Sequence, residues 1–337
     1  MKAERTPCDD ELKIIMAKDI EEKEVKWLWY PYIPFGKLTL LQGDPGDGKS
    51  KLILNLIAML TNGESLPFTD EPREPIKVIY QTTEDDKEDT IVPRFNASGG
   101  DGSNLVFICE EDKHLSFGDT RIRKAIEQYN AKLLVLDPLS AYVGEGASMN
   151  SANDMRAEFN NLISVGHDTG CAIVIVAHMN KASDTSPLYR TNGSIDIAAA
   201  ARSILAVARN PRSENIDERY LVQVKNNLAR KGNAIIFEMC DKGVEFIEET
   251  EMTAEEVFNF FSPRMGRPNE TELKVQSVIK EMLKDGEVLA ADCEAMLEAQ
   301  GFKKSTIKKA KKNVGVISRK VGFVWYWSLP AGEIPKE

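Results

Sequence analysis

Short apolar runs rich in β-branched residues alternate with stretches of helical periodicity along the first three quarters of the chain. Each run is five to seven residues long and apolar almost throughout, which is typical of strands buried on both faces of a parallel sheet. Helical periodicity predicts helices over 49–60, 120–129 and 154–169. The pattern predicts an α/β fold with helices on both faces of a mostly parallel sheet; its strands are 38–42, 78–82, 105–109, 133–137, 172–177, 202–208, 220–225 and 234–238. The last of these strands follow one another without intervening helices, so they are expected to extend one edge of the sheet in antiparallel fashion.

A segment with two prolines and a glycine, residues 261–269, interrupts this pattern and reads as a linker. Beyond it the sequence predicts three short helices, over 270–284, 290–300 and 303–313, and a hairpin over 315–329 that turns at Gly322. Three helices and a hairpin are the pattern of a small winged-helix domain. We therefore expect four parts: a charged tail or helix (1–25), a main α/β domain (26–250), a linker (251–268) and a winged-helix domain (269–330).

Composition and charge narrow the class of protein. No apolar run approaches the roughly 18 to 20 residues of a membrane span, and the charged N-terminus lacks the apolar core of a secretory signal. The five cysteines include no closely spaced pair, which favours a reducing cytoplasm over a disulfide framework or a zinc site. The net charge of −10 argues against a surface that coats nucleic acid. Residues 303–320, in contrast, hold eight Lys or Arg and no acid.

Residues 43–50 read Gly-Asp-Pro-Gly-Asp-Gly-Lys-Ser, which fits the phosphate-loop motif, with a predicted strand before it and a predicted helix after it. The glycines let successive N–H groups face one anion, and the helix start adds its dipole. Lys49 is expected to reach the β- and γ-phosphates of ATP, and Ser50 to ligate Mg²⁺. A glycine-rich turn without a ligand is the alternative. The predicted nucleotide-binding residues are Gly43, Asp44, Pro45, Gly46, Asp47, Gly48, Lys49, Ser50 and Lys51.

Three further strands end in polar residues that parallel pairing would bring to the same edge of the sheet. Asp137 is expected to hold Mg²⁺ through water, although it could instead cap the turn that follows its strand. Glu84 is the candidate general base for the attacking water, or else a solvated carboxylate. His178 is the candidate sensor of the γ-phosphate, or else a structural partner.

In residues 27–50, 79–85, 135–140, 178–181 and 193–202, together with the lysine-rich 301–315, the chain resembles the RepA family of hexameric replicative helicases of plasmids, phages and mobile elements. The resemblance covers about 90% of the chain and implies a RecA-like P-loop core, a homo-oligomeric, hexameric ring with ATP between subunits, and action on single-stranded DNA. It also implies a basic finger from the neighbouring subunit, for which Lys225 and Arg230 are the main candidates beside Lys231 and Arg202. A solvated basic turn is the alternative. The family often has two adjacent histidines where this chain has Ala177 and His178.

Candidate DNA contacts are the loops 141–153 and 180–193, the second with Lys181 and Arg190, and the basic helix 303–312. The aromatic residues of the hairpin, Phe323, Trp325 and Trp327, are expected to form core rather than a stacking platform. The leading prediction is thus an ATP-hydrolysing motor, a DNA helicase or replication ATPase. The alternatives are a recombination or assembly ATPase that does not unwind DNA, and a nucleotide-dependent DNA-binding regulator.

Overall fold

The structure, a computed structural model, describes residues 14–110, 113–144, 151–179, 188, 195–210, 213–259, 270–284, 286–322 and 324–329. Its contacts divide the chain into two compact units, Met1–Phe261 and Ser262–Glu337. Among the described residues, no helix combines the length and the apolar character needed to cross a bilayer.

The first unit begins with a short hairpin and continues as alternating strands and helices. Its elements are β1 (Trp27–Trp29), β2 (Ile33–Pro34), β3 (Leu38–Gly43), α1 (Lys49–Asn62), β4 (Val78–Thr82), α2 (Val92–Ala97), β5 (Leu105–Val106), α3 (Thr120–Tyr129), β6 (Leu133–Asp137), α4 (Ala152–Thr169), β7 (Ala172–His178), α5 (Ile195–Ala200), β8 (Ser203–Arg209), β9 (Glu218–Asn226), β10 (Ala234–Cys240), β11 (Gly243–Thr250) and α6 (Ala254–Asn259).

A nine-stranded sheet in the order β11-β10-β9-β8-β3-β7-β6-β4-β5 forms the centre of this unit. The six strands from β8 to β5 are parallel, and β9, β10 and β11 extend the sheet by antiparallel pairing. The prediction of an α/β fold with a mostly parallel sheet and an antiparallel extension is therefore confirmed. The parallel strands all point their carboxyl ends to one edge, where ligand sites of such sheets form.

Each face of the sheet is covered by its own set of helices, which explains why the central strands are apolar on both faces. One core packs α3, α4, α5 and α6 against alternate strand residues such as Leu40 and Ile175. The other packs α1 and α2 against the opposite residues, such as Leu41 and Val176. Since successive side chains of a strand point to opposite faces, the two cores interleave along every central strand.

Several predicted bounds need correction. The predicted strand 105–109 is only β5, because pairing to β4 on one side ends after Val106. Residues 254–259, assigned to the linker, form α6, because Val257 and Phe258 are buried in the core of the first unit. Strand β11 was not predicted, because as an edge strand it buries few side chains and reads as polar. The short elements β1, β2, α2 and α5 are also additions.

The second unit contains α7 (Glu270–Met282), β12 (Val288–Leu289), α8 (Ala290–Ala299), α9 (Lys304–Val314), β13 (Ile317–Val321) and β14 (Val324–Ser328). A three-stranded antiparallel sheet has the order β12-β14-β13, with Gly322 at positive φ in the turn of the hairpin. The core draws buried residues from all three helices and from Trp327. Strand β12 is the one element of this unit that the sequence pattern did not predict.

Candidate nucleotide site

The phosphate-loop motif forms the turn between β3 and α1, at the carboxyl edge of the parallel strands. Gly46 and Gly48 have φ values of 82° and 88°, in the left-handed region that favours glycine. A Cβ on Gly43 would lie 2.7 Å from the carbonyl oxygen of Val207 on the neighbouring strand. Gly48 is the N-cap of α1 and offers no side chain to its N–H groups. The helix start is therefore open to an anion.

Lys49 is buried, with 5% of its surface exposed, and its ammonium donates to two carbonyl oxygens of its own loop, Gly43 O at 3.0 Å and Asp44 O at 2.9 Å. Burial lowers the pKa of this ammonium, while the carboxylates of Asp47 and Asp137 act in the opposite direction. The cation thus stands beside the open helix start, bonded to groups that phosphate oxygens can replace.

Asp137 ends β6 beside the loop, and its Oδ2 accepts hydrogen bonds from Ser50 Oγ at 2.7 Å and from Tyr80 OH at 2.9 Å. Burial raises the pKa of this carboxyl, and the two hydrogen bonds offset part of the rise. A hydroxyl and a carboxylate in contact at the phosphate loop fit a magnesium ion, which keeps several waters and takes few protein ligands. Tyr80, in the middle of β4, had no signal in the sequence.

His178 lies between the loop cation and the acid after β4. Its Nδ1 is 3.4 Å from Lys49 Nζ, and its Nε2 is 3.6 Å from Glu84 Oε1. The register of the sheet explains this, because Gly43 is paired with His178 across β3 and β7. The Glu84 side chain is 57% exposed, so its carboxylate has access to water. The structure brings Lys49, Asp137, Glu84 and His178, predicted from four separate strand ends, into one cluster.

On the other flank of the loop, the predicted Asp47 lies beside three residues that the sequence analysis missed, Arg209, Arg219 and Met239. Asp47, 6% exposed, accepts from Asp44 N at 3.1 Å and lies 3.6 Å from Arg209 Nε. Burial, together with Asp44, raises the pKa of the Asp47 carboxyl, while Lys49 and the buried Arg219 oppose the rise. A Cβ on Gly48 would overlap Sδ of Met239 in β10. A charged residue at the end of apolar β8 was the only sequence signal for this flank.

Residues 5–184, more than half of the chain, match the family model described as an AAA domain, AAA_25. The chain belongs to the AAA_25 family. This family consists of RecA-like P-loop ATPases, and the strand order and the loop between β3 and α1 accord with that membership. ATP and Mg²⁺ are the expected ligands of an AAA_25 domain.

Curated relatives of this AAA_25 chain include three proteins named DNA repair protein RadA. Those of Halalkalibacterium halodurans, Aquifex aeolicus and Bacillus subtilis are 26%, 24% and 25% identical over 62%, 64% and 66% of this chain. The chain spans 40–43% of the length of these relatives. Among solved structures, a KaiC-like protein from Pyrococcus horikoshii OT3 is 15% identical, with a TM-score of 0.48 over 64% of this chain and 91% of that one.

The two main finger candidates lie outside the residues that match the family model and away from the phosphate loop. Lys225 is paired with Ile204, near the start of β8, whereas the phosphate loop adjoins Val207 near its end. Its ammonium donates to the carbonyl oxygens of Ala198 and Ala201, both at 2.8 Å, at the end of α5. Arg230 is exposed in the turn between β9 and β10.

Some of the remaining predicted residues lie within the part of the chain that the structure describes, and others lie outside it. In the loop, Asp44, Pro45 and Gly46 are exposed, and Lys51 is half-buried in the first turn of α1. Most of the predicted DNA loops, residues 145–150 of the first and 180–187 and 189–193 of the second, lie outside the described residues, as do Lys181, Arg190 and Phe323.

Proposed function

We propose that the chain is an ATP-hydrolysing motor that acts on single-stranded DNA, like the RepA-type replicative helicases it resembles. One observation carries the proposal. The buried cation Lys49, the buried carboxylate Asp137 and the exposed carboxylate Glu84 converge beside an open phosphate loop, with His178 between Lys49 and Glu84. A site that only held a nucleotide would not need an exposed acid aligned in this way.

The phosphate loop, residues 43–50, and Lys51 after it bind the triphosphate. Lys49 exchanges its bonds to the loop carbonyls for bonds to the β- and γ-phosphates. Ser50 and Asp137 hold Mg²⁺, which neutralises charge on the phosphates when bound. Tyr80 keeps Asp137 oriented through its hydrogen bond.

Hydrolysis needs a water in line with the γ-phosphate, and Glu84 is placed to orient and deprotonate it. His178 is close to both Glu84 and Lys49, so loss of the γ-phosphate changes the contacts of this imidazole. The imidazole then transmits the nucleotide state to the chain that follows β7.

The finger from the neighbouring subunit is assigned to Arg230. Its side chain is exposed in a turn, whereas the Lys225 ammonium is bound to carbonyls at the end of α5. A guanidinium that reaches another subunit's nucleotide would make the active unit an oligomer, a ring of six in the helicases that the chain resembles.

The second unit is assigned as a winged-helix domain from its order of elements, in which α9 stands where such domains carry their recognition helix. Its basic helix supports contact with nucleic acid.

The proposal is tested by ATP turnover with and without single-stranded DNA. We expect DNA to raise turnover, Lys49→Ala to abolish it, and Lys242→Ala, which removes an exposed lysine of the first unit, to leave it unchanged. Turnover that is indifferent to any nucleic acid would contradict the motor.

A second candidate is a repair or recombination ATPase that does not unwind DNA, favoured by the similarity to proteins named DNA repair protein RadA. A forked substrate separates the two, because only a helicase releases a free strand. A nucleotide-dependent DNA-binding regulator, the third candidate, would bind DNA with an affinity that changes with nucleotide in wild type but not in Lys49→Ala, and DNA would not raise its turnover.

A further inference from the structure

The two tryptophans of β14 have different environments although they lie on the same face of the hairpin. Trp327 is 2% exposed and belongs to the core of the second unit. Trp325, two residues earlier and nearer the turn, is 50% exposed. The expectation that these aromatic residues are core is therefore correct for Trp327 and wrong for Trp325.

The exposed indole lines a cavity of about 550 Å³ between the start of α8, the end of α9 and the hairpin. Its lining includes Ala290, Ala291, Lys311, Ser318, Trp325 and Trp327. Small side chains at the start of α8 leave the indole accessible. The volume is within the range of small-molecule sites, roughly 300–1,000 Å³.

Two lysines are positioned against the aromatic rings. Lys311 Nζ lies 4.1 Å from the ring centroid of Trp327, and Lys320 Nζ lies 5.9 Å from that of Trp325. Lys320 is also directly paired with Trp325 across β13 and β14. Burial lowers the pKa of Lys311, against the opposing effect of Glu294. The cavity therefore combines the exposed indole of Trp325 with the Lys311 ammonium in its lining, and the exposed Lys320 lies beside that indole.

The surface around the cavity is also positively charged. Residues 303–320 carry eight basic side chains and no acid. Two of the eight form ion pairs within the unit, Lys304 with Glu298 and Arg319 with Glu287. Lys308, Lys309 and Lys312 are exposed along α9. A polyanion can follow this surface from α9 to the hairpin.

We propose that the cavity binds single-stranded nucleic acid, with one base stacked on Trp325 and neighbouring phosphates on Lys311 and Lys320. Aromatic faces with flanking cations are the combination that single strands require, because their bases are free to leave the stack. A duplex keeps both faces of each base covered and cannot use the indole. Glu294, also in the lining, can accept an N–H of the base. The site gives the DNA partner of the proposed function a contact in the second unit, and it does not depend on hydrolysis.

The first test measures affinity of the full chain, without nucleotide, for labelled oligothymidine and oligouridine. Trp325→Ala should weaken binding by about tenfold or more, since stacking on one aromatic side chain has about that effect. Trp325→Tyr should restore most of the affinity. Met296→Ala, which removes another exposed apolar side chain of the same unit, should leave it unchanged. An oligothymidine or oligouridine preference would each support the site; because the two differ in the thymine methyl group as well as in the 2′-OH, oligodeoxyuridine then separates the effect of the base from that of the sugar.

The second test concerns the phosphate contact. Lys320→Gln should reduce the slope of log affinity against log salt concentration by about 0.7, the value for one phosphate of a single strand. Lys284→Gln, a lysine at the end of α7 that pairs with Glu281, should leave the slope as it is.

Equal oligonucleotide affinity of Trp325→Ala and wild type would overturn the proposal, as would the absence of binding by the wild type, which would point to a protein partner. The result of this binding test is independent of the result of the turnover test of the motor. If Trp325→Ala weakens binding but DNA does not stimulate turnover, the site stands and the motor falls. If DNA stimulates turnover and Trp325→Ala binds normally, the site falls and the motor stands.

Discussion

At the scale of one residue, the buried negative charge of Asp137 is expected to lower the free energy of unfolding of the protein without ligand. Its carboxylate is 5% exposed, and two neutral hydroxyls, of Ser50 and Tyr80, donate to it. Burial of a charge is costly unless it is fully compensated, and the raised pKa of this carboxyl expresses that cost. Magnesium would supply the missing compensation.

Asp137→Asn should therefore raise the melting temperature in the absence of ligand, at about 2–4 °C for each kcal/mol gained. The same change should lower Mg²⁺-dependent turnover by about 10–100-fold, as for other residues that orient a metal. Differential scanning calorimetry and ATPase assays measure the two effects.

The pH dependence follows from the direction of the shift. A carboxyl whose pKa is raised in the folded state binds its proton more readily there, so its cost is fully present above the folded pKa. The difference in melting temperature between wild type and Asp137→Asn should shrink as the pH falls towards the ordinary value of 3.8. A difference that is constant with pH would show that the charge is not its cause.

Asp47 places a second buried carboxylate inside a loop that has to receive a polyanion. Asp47→Asn should bind Mg–ATP several-fold more tightly than wild type near neutral pH, since one repulsive charge is removed. Because the Asp47 pKa is raised, wild type should approach the variant as the pH falls. Calorimetric titration measures both, with Asp241→Asn in an exposed turn as the control. Weaker binding by Asp47→Asn would mean that the carboxylate holds the loop open through Asp44 N.

At the scale of elements, the sequence predicts those parts of the sheet that are buried on both faces. Strands such as β6 and β7 are continuous apolar runs that end at a polar residue, Asp137 and His178 respectively. Edge strands β5 and β11 bury only part of their side chains, so their pattern resembles that of loops.

The candidate site likewise has one part that the local sequence predicts and one part that it does not. Its phosphate loop and strand-end acids are local motifs, legible from the residues around them. Its other flank is assembled by β8, β9 and β10, which reach the loop only through sheet pairing. No local pattern marks Arg219 as a neighbour of Asp47, 172 positions earlier, or Met239 as a neighbour of Gly48, 191 positions earlier.

Two helix C-caps give a matched test of packing at this scale. Gly63 after α1 and Gly170 after α4 have φ values of 75° and 71°. A Cβ on Gly63 would lie 2.8 Å from Pro75 Cδ and 2.9 Å from Arg73 O, whereas one on Gly170 would meet nothing within 4 Å. Gly170→Ala should cost about 1–2 kcal/mol for the left-handed backbone alone. Gly63→Ala should cost about 1–3 kcal/mol more, as measured by urea unfolding. Equal costs would show that the segment at Pro75 yields freely.

At the scale of the whole molecule, the proposed ring requires two chains for each active site. Arg230→Ala should keep nucleotide affinity but lose turnover by about 10³-fold or more, as expected for an arginine finger. Lys49→Ala should lose turnover because its phosphate loop lacks the ammonium that binds the β- and γ-phosphates. Mixing the two inactive variants should recover part of the activity, because some interfaces then combine an intact loop with an intact finger.

Mass measurement accompanies this experiment. A non-hydrolysable ATP analogue should shift the wild-type chain to a higher oligomer, and Lys242→Ala, which removes an exposed lysine without a proposed role, serves as the control. Mixtures that stay inactive while the oligomer forms would remove Arg230 as the finger.

The outermost strand, β11, limits how copies of this chain can meet. Beyond its pairing with β10, its Val244 N–H donates to Asn55 Oδ1 at 3.2 Å, and the strand carries three glutamates, Glu245, Glu248 and Glu249. Pairing of β11 with the β11 of a second copy would bring glutamates of the two chains together, and their repulsion disfavours a continuous sheet across the two copies. Self-association through a continuous sheet is therefore disfavoured at this edge, and copies that meet on this side of the molecule have to use loops and helices.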